Sequence, residues 1–480
     1  MSEGADRAPA ALSAAPTWRD VLFGPSRRTV WTISIGVAIQ AFGWFLVSTI
    51  MPSVVLQLGR PEELSWGTTA FLALSVPGSA SAGYLKGRFG ARRVLLAAGS
   101  LVVASNLLGL LSPNMDVFLL SRAVQGLGEG QVLALCYILV GDSLAPREVS
   151  PAFAIVAVVW ALATLIGPWL AGLLTAIASW RLAFTPLLLL AGTFLWLIAT
   201  DRKLAERPAT ASGMLPLGRL AIIGLTIGTV SFAGATRNFA LAAALLVVGI
   251  VLINLCFRLD RRSPSHLFPT RLLSLRDPST LGIWILALMF GTEAAAPLYM
   301  AYFVQIGHGT SVFFAGQFSA ITALSWSLSA IYISRYDKSV GRPMLVLGPA
   351  LLTLGLAALM FWNVMPLYIS AFALIALGAG FGLSYTFFTE YVIGLSPEGE
   401  RDVTAGAIPT LENTCAAIGA ALAGLLGNMA GFGASGAADI PAAVPVAVFG
   451  VSALVSLFTI FCALRFYRLV SRAPSLVERN

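Results

Sequence analysis

Three polar side chains interrupt a stretch of the chain that is otherwise apolar enough to cross a bilayer. The stretch spans residues 116–142 and contains Arg122, Gln125 and Glu129. Seven residues make nearly two helical turns, so Arg122 and Glu129 would share one helix face, about 10 Å apart along the axis. Ionisable groups inside a membrane span are costly and therefore indicate a functional site. In the alternative interpretation, Arg122 snorkels to the interface and Glu129 is a protonated packing residue.

The composition places the whole chain in a bilayer. Of its 480 residues, 58% are hydrophobic and 11% are charged, and the mean hydropathy is +0.85. Soluble domains carry about 25% charged residues, so the sequence predicts an all-α polytopic membrane protein. All four cysteines lie in apolar runs without metal-binding or CxxC spacing, and we expect neither disulfides nor a metal site.

The basic residues predict the orientation of the chain in the membrane. If the N-terminus is cytoplasmic, all but four of the 30 Lys and Arg fall in cytoplasmic segments, the exceptions being Arg60, Arg122, Arg181 and Arg237. This asymmetry follows the positive-inside rule, and it predicts a multi-pass protein of the cell inner membrane with both termini in the cytoplasm. Because these charges are spread over many loops, we expect no nucleic-acid partner.

The apolar runs predict fourteen spans arranged as six, an inserted pair, and six. Only four residues lie between the two helices of the inserted pair. Removing this pair would preserve the orientation of all later spans. The distribution of basic residues therefore does not distinguish twelve spans from fourteen. The predicted segments are a cytoplasmic tail (1–29), an N-terminal six-helix bundle (30–200), a linker (201–278) with the inserted pair at about 218–257, a C-terminal six-helix bundle (279–466) and a second cytoplasmic tail (467–480).

Three stretches together resemble the major facilitator superfamily, and within it the fourteen-span drug:proton antiporters. They are GYLKGRFGARR (83–93), RAVQGLGEG (122–130) and LIGPWLAG (165–172). The resemblance implies the major facilitator fold, transport by alternating access, and conformational roles for residues in the loop and fifth-span motifs. A plain packing kink is the alternative for the fifth span. The residues concerned are Gly83, Lys86, Arg88, Gly90, Arg92, Gly167, Pro168 and Gly172.

The sequence departs from this family at several positions. The family's loop motif usually has an Asp where this chain has Gly87. In the fourth-span motif, the family usually has a small residue where this chain has Glu129. The first span also lacks an Asp that is often found there. The matching loop SRYDKSVGRP (334–343) contains Asp337, which predicts that the acidic residue with a conformational role is kept in the second half. The coupling chemistry must therefore come from the acids that are present.

Four carboxylates lie within predicted spans, namely Glu129, Glu293, Glu390 and Glu412. Burial disfavours the charged form of a carboxyl group, so such acids can bind and release protons. Glu129 and Glu293 are near the middle of their spans, and we predict that they carry proton coupling together with Arg122. Glu390 and Glu412 are closer to the cytoplasmic ends, where we expect interfacial solvation or an inner gate.

The resemblance implies a central cavity lined by the first and fourth spans of each half. Glu129 and Glu293 would then face it from opposite halves, and Pro297 predicts a kink beside Glu293. Aromatic and carboxylate groups suit lipophilic cations, although aromatics at helical spacing are more often plain packing residues. The predicted substrate-binding residues are Gln40, Trp44, Gln125, Tyr299, Tyr302, Tyr385 and Asn413.

These features predict a transporter rather than an enzyme. The sequence contains no GxxxxGK[ST] motif, so we expect a secondary exporter coupled to protons, with no cofactor, that acts as a monomer on lipophilic, cationic small molecules. The alternative is the same fold moving a lipid or a metabolite in either direction. A membrane-embedded enzyme is a weaker alternative because HExxH and GxSxG motifs are absent, and nothing resembles a channel filter.

Overall fold

The computed structural model describes residues 18–59, 61–201, 217–236, 238–263, 266–336, 338–397, 399–434 and 440–471. Over these ranges the chain is helical and forms no strand. The helices are α1 (Trp18–Phe23), α2 (Arg27–Leu58), α3 (Trp66–Phe89), α4 (Ala91–Leu111), α5 (Met115–Ser143), α6 (Pro146–Ile177), α7 (Phe184–Ala199), α8 (Leu217–Ala235), α9 (Phe239–Arg261), α10 (Pro278–Glu293), α11 (Ala295–Tyr302), α12 (Val312–Ser319), α13 (Ile321–Ile333), α14 (Lys338–Leu359), α15 (Leu367–Gly394), α16 (Arg401–Met429) and α17 (Ala443–Ser471).

Most of these helices are suited to a bilayer. In the described part of the chain, 11 helical stretches are long and apolar enough to cross a membrane, and a shorter apolar helix occupies Gly218–Gly234. The predicted span at 312–333 is formed by α12 and α13, which meet at Ala320. The backbone N–H groups of Ala320 and Leu324 donate to the carbonyls of Gly316 and Ala320, so i to i−4 hydrogen bonds are kept on both sides of the junction.

Hydrogen bonds between helix termini define two ends of the bundle. At the end where α2 begins, which we call the terminus end, Ser26 donates to Glu148 at 2.9 Å and Arg92 donates to the Ala199 carbonyl at 2.8 Å. At the opposite end, the far end, Arg181 donates to the Ser112 carbonyl at 2.8 Å. We refer to α2–α7 as the first half and α10–α17 as the second half.

Within each half, glycines bring one equivalent pair of helices into close contact. A Cβ at Gly126 of α5 would overlap the Phe71 carbonyl oxygen of α3, so the two backbones touch there. In the second half, a Cβ at Gly378 of α15 would likewise overlap the Thr322 carbonyl of α13. Each of these glycines is followed by another after four residues, Gly130 and Gly382, in the small-xxx-small pattern that allows close helix packing in membranes. The halves therefore repeat the same packing.

We expect the Gly126→Ala substitution to destabilise the protein. The added methyl group meets a backbone oxygen, which cannot rotate away, and such overpacking typically costs about 1–3 kcal/mol. The measurement is the thermal midpoint followed with a dye that reacts with thiols as buried Cys136 becomes exposed. Gly141→Ala on the same helix is the matched control, because a Cβ there meets no atom within 4 Å. Equal midpoints for both variants would show that α3 and α5 are free to separate.

The inserted pair, α8 and α9, packs against both halves. α8 lies against α3 and against α16 of the second half. Arg219 and Asp260 form a buried ion pair that joins the terminus ends of α8 and α9. The backbone N–H groups of Leu267 and Phe268 donate to the same carboxylate at 2.9 and 3.0 Å. The loop that follows α9 is thus anchored to Asp260.

Pro297 predicts a helix kink beside Glu293, and the helix is interrupted at that point. α10 ends at Glu293 and α11 begins at Ala295. Pro297 has no N–H to donate to the Glu293 carbonyl, and its ring crowds that carbonyl, which explains the break. The Glu293 side chain is consequently at the last position of a helix rather than in the middle of one.

Candidate functional site

A chain of three buried side chains runs along one face of α5. Arg122 donates to the Gln125 side-chain oxygen, and the Gln125 amide donates to Glu129 Oε1 at 2.7 Å. The spacings of three and four residues place successive side chains one helical turn apart. Arg122 is 3% exposed and Glu129 is 1% exposed. The amide of Gln125 therefore connects a buried cation to a buried carboxylate.

Helix α3 holds Arg122 in the interior. Its Nε atom donates to the Gly67 carbonyl at 3.1 Å, and its guanidinium carbon lies 4.7 Å from the centroid of the Phe71 ring. Trp44 of α2 packs edge-on against the same ring, with centroids 6.4 Å apart. Arg122 thus has a carbonyl, an amide and a ring face as partners, and its contacts point inward rather than to an interface.

The Glu129 carboxylate faces α2 at a glycine. A Cβ at Gly43 would lie 3.1 Å from Glu129 Oε1 and 3.2 Å from Oε2, so a glycine leaves space for the carboxylate. Oε2 is buried and accepts no hydrogen bond from any residue that the structure describes. Gln40 lies one turn before Gly43, and its side-chain oxygen is also buried without a partner among the described residues. Gly43 is not among the site residues predicted from the sequence, because its only signal there is a small residue in the first span.

A second buried carboxylate lies in the second half. Glu412 of α16 is 6% exposed, and Tyr385 of α15 donates its hydroxyl to Glu412 Oε2 at 3.4 Å. The other oxygen, Oε1, is buried and has no partner in the described part of the chain. The expectation of interfacial solvation for Glu412 is wrong, because the residue lies three turns into α16 and packs against α15. Glu390, by contrast, is exposed.

Glu293 lies on a helix that adjoins this second carboxylate. Phe290, one turn before Glu293, packs against Tyr385 with ring centroids 6.1 Å apart. A Cβ at Gly291 would be 3.1 Å from the Cys415 carbonyl of α16, so α10 and α16 are in close contact. Glu293 and Asn413 are both partly exposed. The second half therefore has two acids on adjoining helices, of which only Glu293 was predicted from the sequence to carry proton coupling.

The aromatic residues that are predicted to bind substrate lie in separate groups. Tyr299 and Tyr302 are each 1% exposed, and both pack against Phe432 with centroids 5.4 and 4.9 Å apart. The Tyr299 hydroxyl donates to the Ala423 carbonyl at 3.1 Å. Tyr385 instead packs against Phe290 and Trp326. Tyr299 thus packs between α11 and α16, and Tyr302 packs on the segment that follows α16. Trp44 instead lies beside the Phe71 ring that contacts Arg122, and Tyr385 lies beside Glu412.

The fifth-span stretch lies at a contact between the two halves. A Cβ at Gly172 would be 2.7 Å from the backbone nitrogen of Phe313, and a Cβ at Gly316 would be 2.9 Å from Pro168. Gln317 donates to the Leu165 carbonyl at 3.0 Å across the same boundary. Gly167 faces inward to Phe45, with a Cβ separation of 2.8 Å. α6 and α12 therefore meet backbone to backbone towards the far end.

The stretch GYLKGRFGARR (83–93) forms the end of α3, the connecting Gly90 and the start of α4, and it makes contacts within the first half. Lys86 pairs with Asp142 at the end of α5. Arg88 donates to the Tyr84 hydroxyl at 3.0 Å. Gly90 has φ 82°, which favours glycine, and Gly83 is exposed. Asp337, the predicted counterpart in the second half, lies outside the described residues.

Comparison with known proteins agrees with this architecture. Residues 33–420 match the family described as the Major Facilitator Superfamily. A probable multidrug-efflux transporter of Mycobacterium tuberculosis is 27% identical over 437 residues, which cover 86% of this chain and 90% of that protein. A crystal structure of a peptide transporter in complex with sulfate has a TM-score of 0.68 at 16% identity, covering 92% of this chain and 95% of that one. A D-xylose-proton symporter has a TM-score of 0.63 at 13% identity, covering 90% and 96%.

Three findings lead to a single assignment. They are the match of most of the chain to one family, the helical architecture, and the repeated packing of the two halves. The chain is a multi-pass membrane transporter, not an enzyme, and it belongs to the major facilitator superfamily.

Proposed function

We propose that this transporter exports lipophilic small molecules, including cations, in exchange for protons. The observation that carries the proposal is the buried Glu129 carboxylate, which has one oxygen without a hydrogen-bond donor among the described residues and is linked through Gln125 to Arg122. A buried carboxylate of this kind can be neutralised by a proton or by a cationic ligand. Competition between proton and cation for one charge is the basis of antiport.

In the proposed cycle, a proton that enters from outside neutralises Glu129 and releases the substrate. The two halves then rock, the proton leaves to the inside, and the ionised carboxylate accepts the next cation. Arg122 keeps the ionised form from being an isolated buried charge. One elementary charge that crosses about 100 mV releases about 2.3 kcal/mol, which is enough for a concentration ratio of nearly fiftyfold.

The second half supplies acids for the same task. Glu412, with its hydrogen bond from Tyr385, and Glu293, on the adjoining helix, would face the cavity opposite Glu129. Trp44 and Tyr385 would provide ring faces for a lipophilic cation, with Gln40 and Asn413 as hydrogen-bonding groups. The name of the mycobacterial relative supports efflux of several drugs, and the proton-coupled symporter supports proton coupling in this fold.

The membrane topology is part of the proposal. We assign fourteen spans, with two six-helix bundles at 30–200 and 279–466 and the inserted pair between them. Basic residues such as Lys86, Arg92 and Arg147 belong to the terminus end, which supports a cytoplasmic location for that end in a cell inner membrane. The contacts of Gly172 and Gln317 between the halves then support a conformer that is closed on the outside.

Proton movement in proteoliposomes tests the proposed function. Vesicles with an acidic lumen and an enclosed pH dye receive tetraphenylphosphonium on the outside. We expect the lumen to lose protons several times faster than without the cation, because each entering cation displaces a proton. Empty vesicles are the control for passive permeation of the cation. No added proton movement, with protein shown to be folded, would favour a lipid or metabolite as cargo and a structural role for Glu129.

A further inference from the structure

A cavity of about 900 Å³ lies beside the inserted pair. Its walls come from α3, α5, α8 and α9, and we call it the side groove. Leucine, proline and phenylalanine side chains form most of the lining, with Pro77 on α3 and Phe232 on α8 as examples. The volume falls in the range of about 300–1,000 Å³ that is typical of small-molecule sites. A space of this size and polarity can accept a lipophilic molecule.

Among the polar groups that line the side groove, two are already paired within their own helices. The Ser81 hydroxyl donates to the Gly78 carbonyl at 2.8 Å, and the Thr229 hydroxyl donates to the Leu225 carbonyl at 2.7 Å. Gln131 is different, since it is only 8% exposed and its amide has no hydrogen-bond partner among the residues that the structure describes. The amide opens onto a space whose lining is mostly apolar, so a ligand that supplies a hydrogen-bond partner there would be favoured.

The side groove is separate from the Glu129 site. Gln131 follows Glu129 by two residues on α5, which turns its side chain by about 200° around the helix axis. Glu129 therefore faces α2 at Gly43, while Gln131 faces the inserted pair. A ligand in the side groove would leave the site formed by Arg122, Gln125 and Glu129 unoccupied.

We propose that the side groove binds a lipophilic small molecule that carries a hydrogen-bonding group, such as a ketone or an amide, taken from the surrounding bilayer. The apolar walls hold its hydrocarbon part, and the Gln131 amide pairs with its polar group. The assignment as a binding site stands on the cavity itself. Whether the bound molecule is also a transport substrate rests on the proposed function.

The depth of Gln131 argues against a phospholipid chain as the occupant. Gln131 precedes Ser143, the last residue of α5, by twelve positions, or about 18 Å along the axis. The hydrocarbon core of a bilayer is about 30 Å thick, so Gln131 lies near its middle. A lipid chain has only methylene groups at that depth and would leave the amide unpaired, whereas a ketone or an amide would satisfy it.

Gly228 of α8 offers a way to block the side groove without disturbing the protein. A Cβ at this position meets no atom within 4 Å, and the residue lines the cavity. A leucine side chain there would project into the space proposed for the ligand. Gly192 on α7 provides the matched control, because its Cβ is equally free and the residue lies outside the groove.

Photolabelling with benzophenone tests the proposal on the whole protein in phosphatidylcholine nanodiscs. Benzophenone is a lipophilic ketone, and on illumination it attaches to nearby C–H groups, which mass spectrometry locates. We expect saturable labelling of the α8 and α3 peptides. Gly228→Leu should reduce that labelling at least tenfold, Gln131→Leu about fivefold, and Gly192→Leu should leave it unchanged. Benzophenone should also raise the thermal midpoint of the wild type more than that of Gln131→Leu.

Two results would overturn the proposal. Equal labelling of α8 in the wild type and Gln131→Leu would show that the amide recognises nothing. Strong labelling of α8 by a phosphatidylcholine with a diazirine in its acyl chain, undiminished by benzophenone, would show that lipid fills the groove. Both measurements are made without a proton gradient. A failure of proton-coupled transport would therefore leave the labelling result intact, and a failure of labelling would leave the proton measurements intact.

Discussion

Glu129→Gln is expected to reduce cation-dependent proton movement at least tenfold, to the level of vesicles without protein. The amide has nearly the shape of the carboxyl group, so it can occupy the same space beside Gly43 and Gln125. It cannot bind or release a proton, and it carries no charge to attract a cation. Coupling should fail in this variant although the fold is retained, because the substitution adds no volume at a site that is 1% exposed.

The experiment compares Glu129→Gln with Glu390→Gln in the same vesicles. Glu390 is also a carboxylate on a predicted span, but it is exposed, so its replacement should change proton movement by less than twofold. Thermal midpoints of both variants establish that the proteins are folded. If Glu129→Gln moved protons as fast as the wild type while Glu412→Gln did not, the coupling carboxylate would lie in the second half.

Gly172→Ala is expected to reduce transport at least tenfold and to separate the two halves at the far end. An alanine Cβ would lie 2.7 Å from the backbone nitrogen of Phe313 and closer still to its Cα. Backbone atoms cannot move aside as a side chain can, so α6 and α12 must part. Alternating access requires one end of the cavity to be closed while the other end is open. A transporter that cannot close its far end therefore loses alternating access.

Distances between spin labels at the far end measure this effect. Labels at Ile177 of the first half and Val364 of the second half, both exposed, report the separation in a background without the native cysteines. The distance distribution should move to longer values in Gly172→Ala and stay unchanged in Gly192→Ala. An unchanged distribution together with full transport would mean that the contact at Gly172 does not control closure.

The sequence alone determined the class of the protein and much of its first candidate site. An apolar fraction of 58% leaves no alternative to a membrane environment, and the helical period brings Arg122, Gln125 and Glu129 onto one face regardless of what surrounds them. The break beside Glu293 also follows from local chemistry, since a proline at position 297 cannot pair with the carbonyl four residues earlier. Such features depend on neighbours along the chain, which a sequence displays directly.

Only the tertiary structure decided which groups meet across helices. Gly43 lies 86 positions before Glu129 in the chain, and no local pattern links the two residues. Glu412 was expected near an interface because position along a span does not reveal which helix covers it, and α15 brings Tyr385 to it. Tyr299 and Tyr302 were predicted to bind substrate, and the structure buries both against Phe432, a contact that their positions in the chain do not reveal. In each case the environment of a side chain is set by contacts between distant segments, which helical periodicity does not specify.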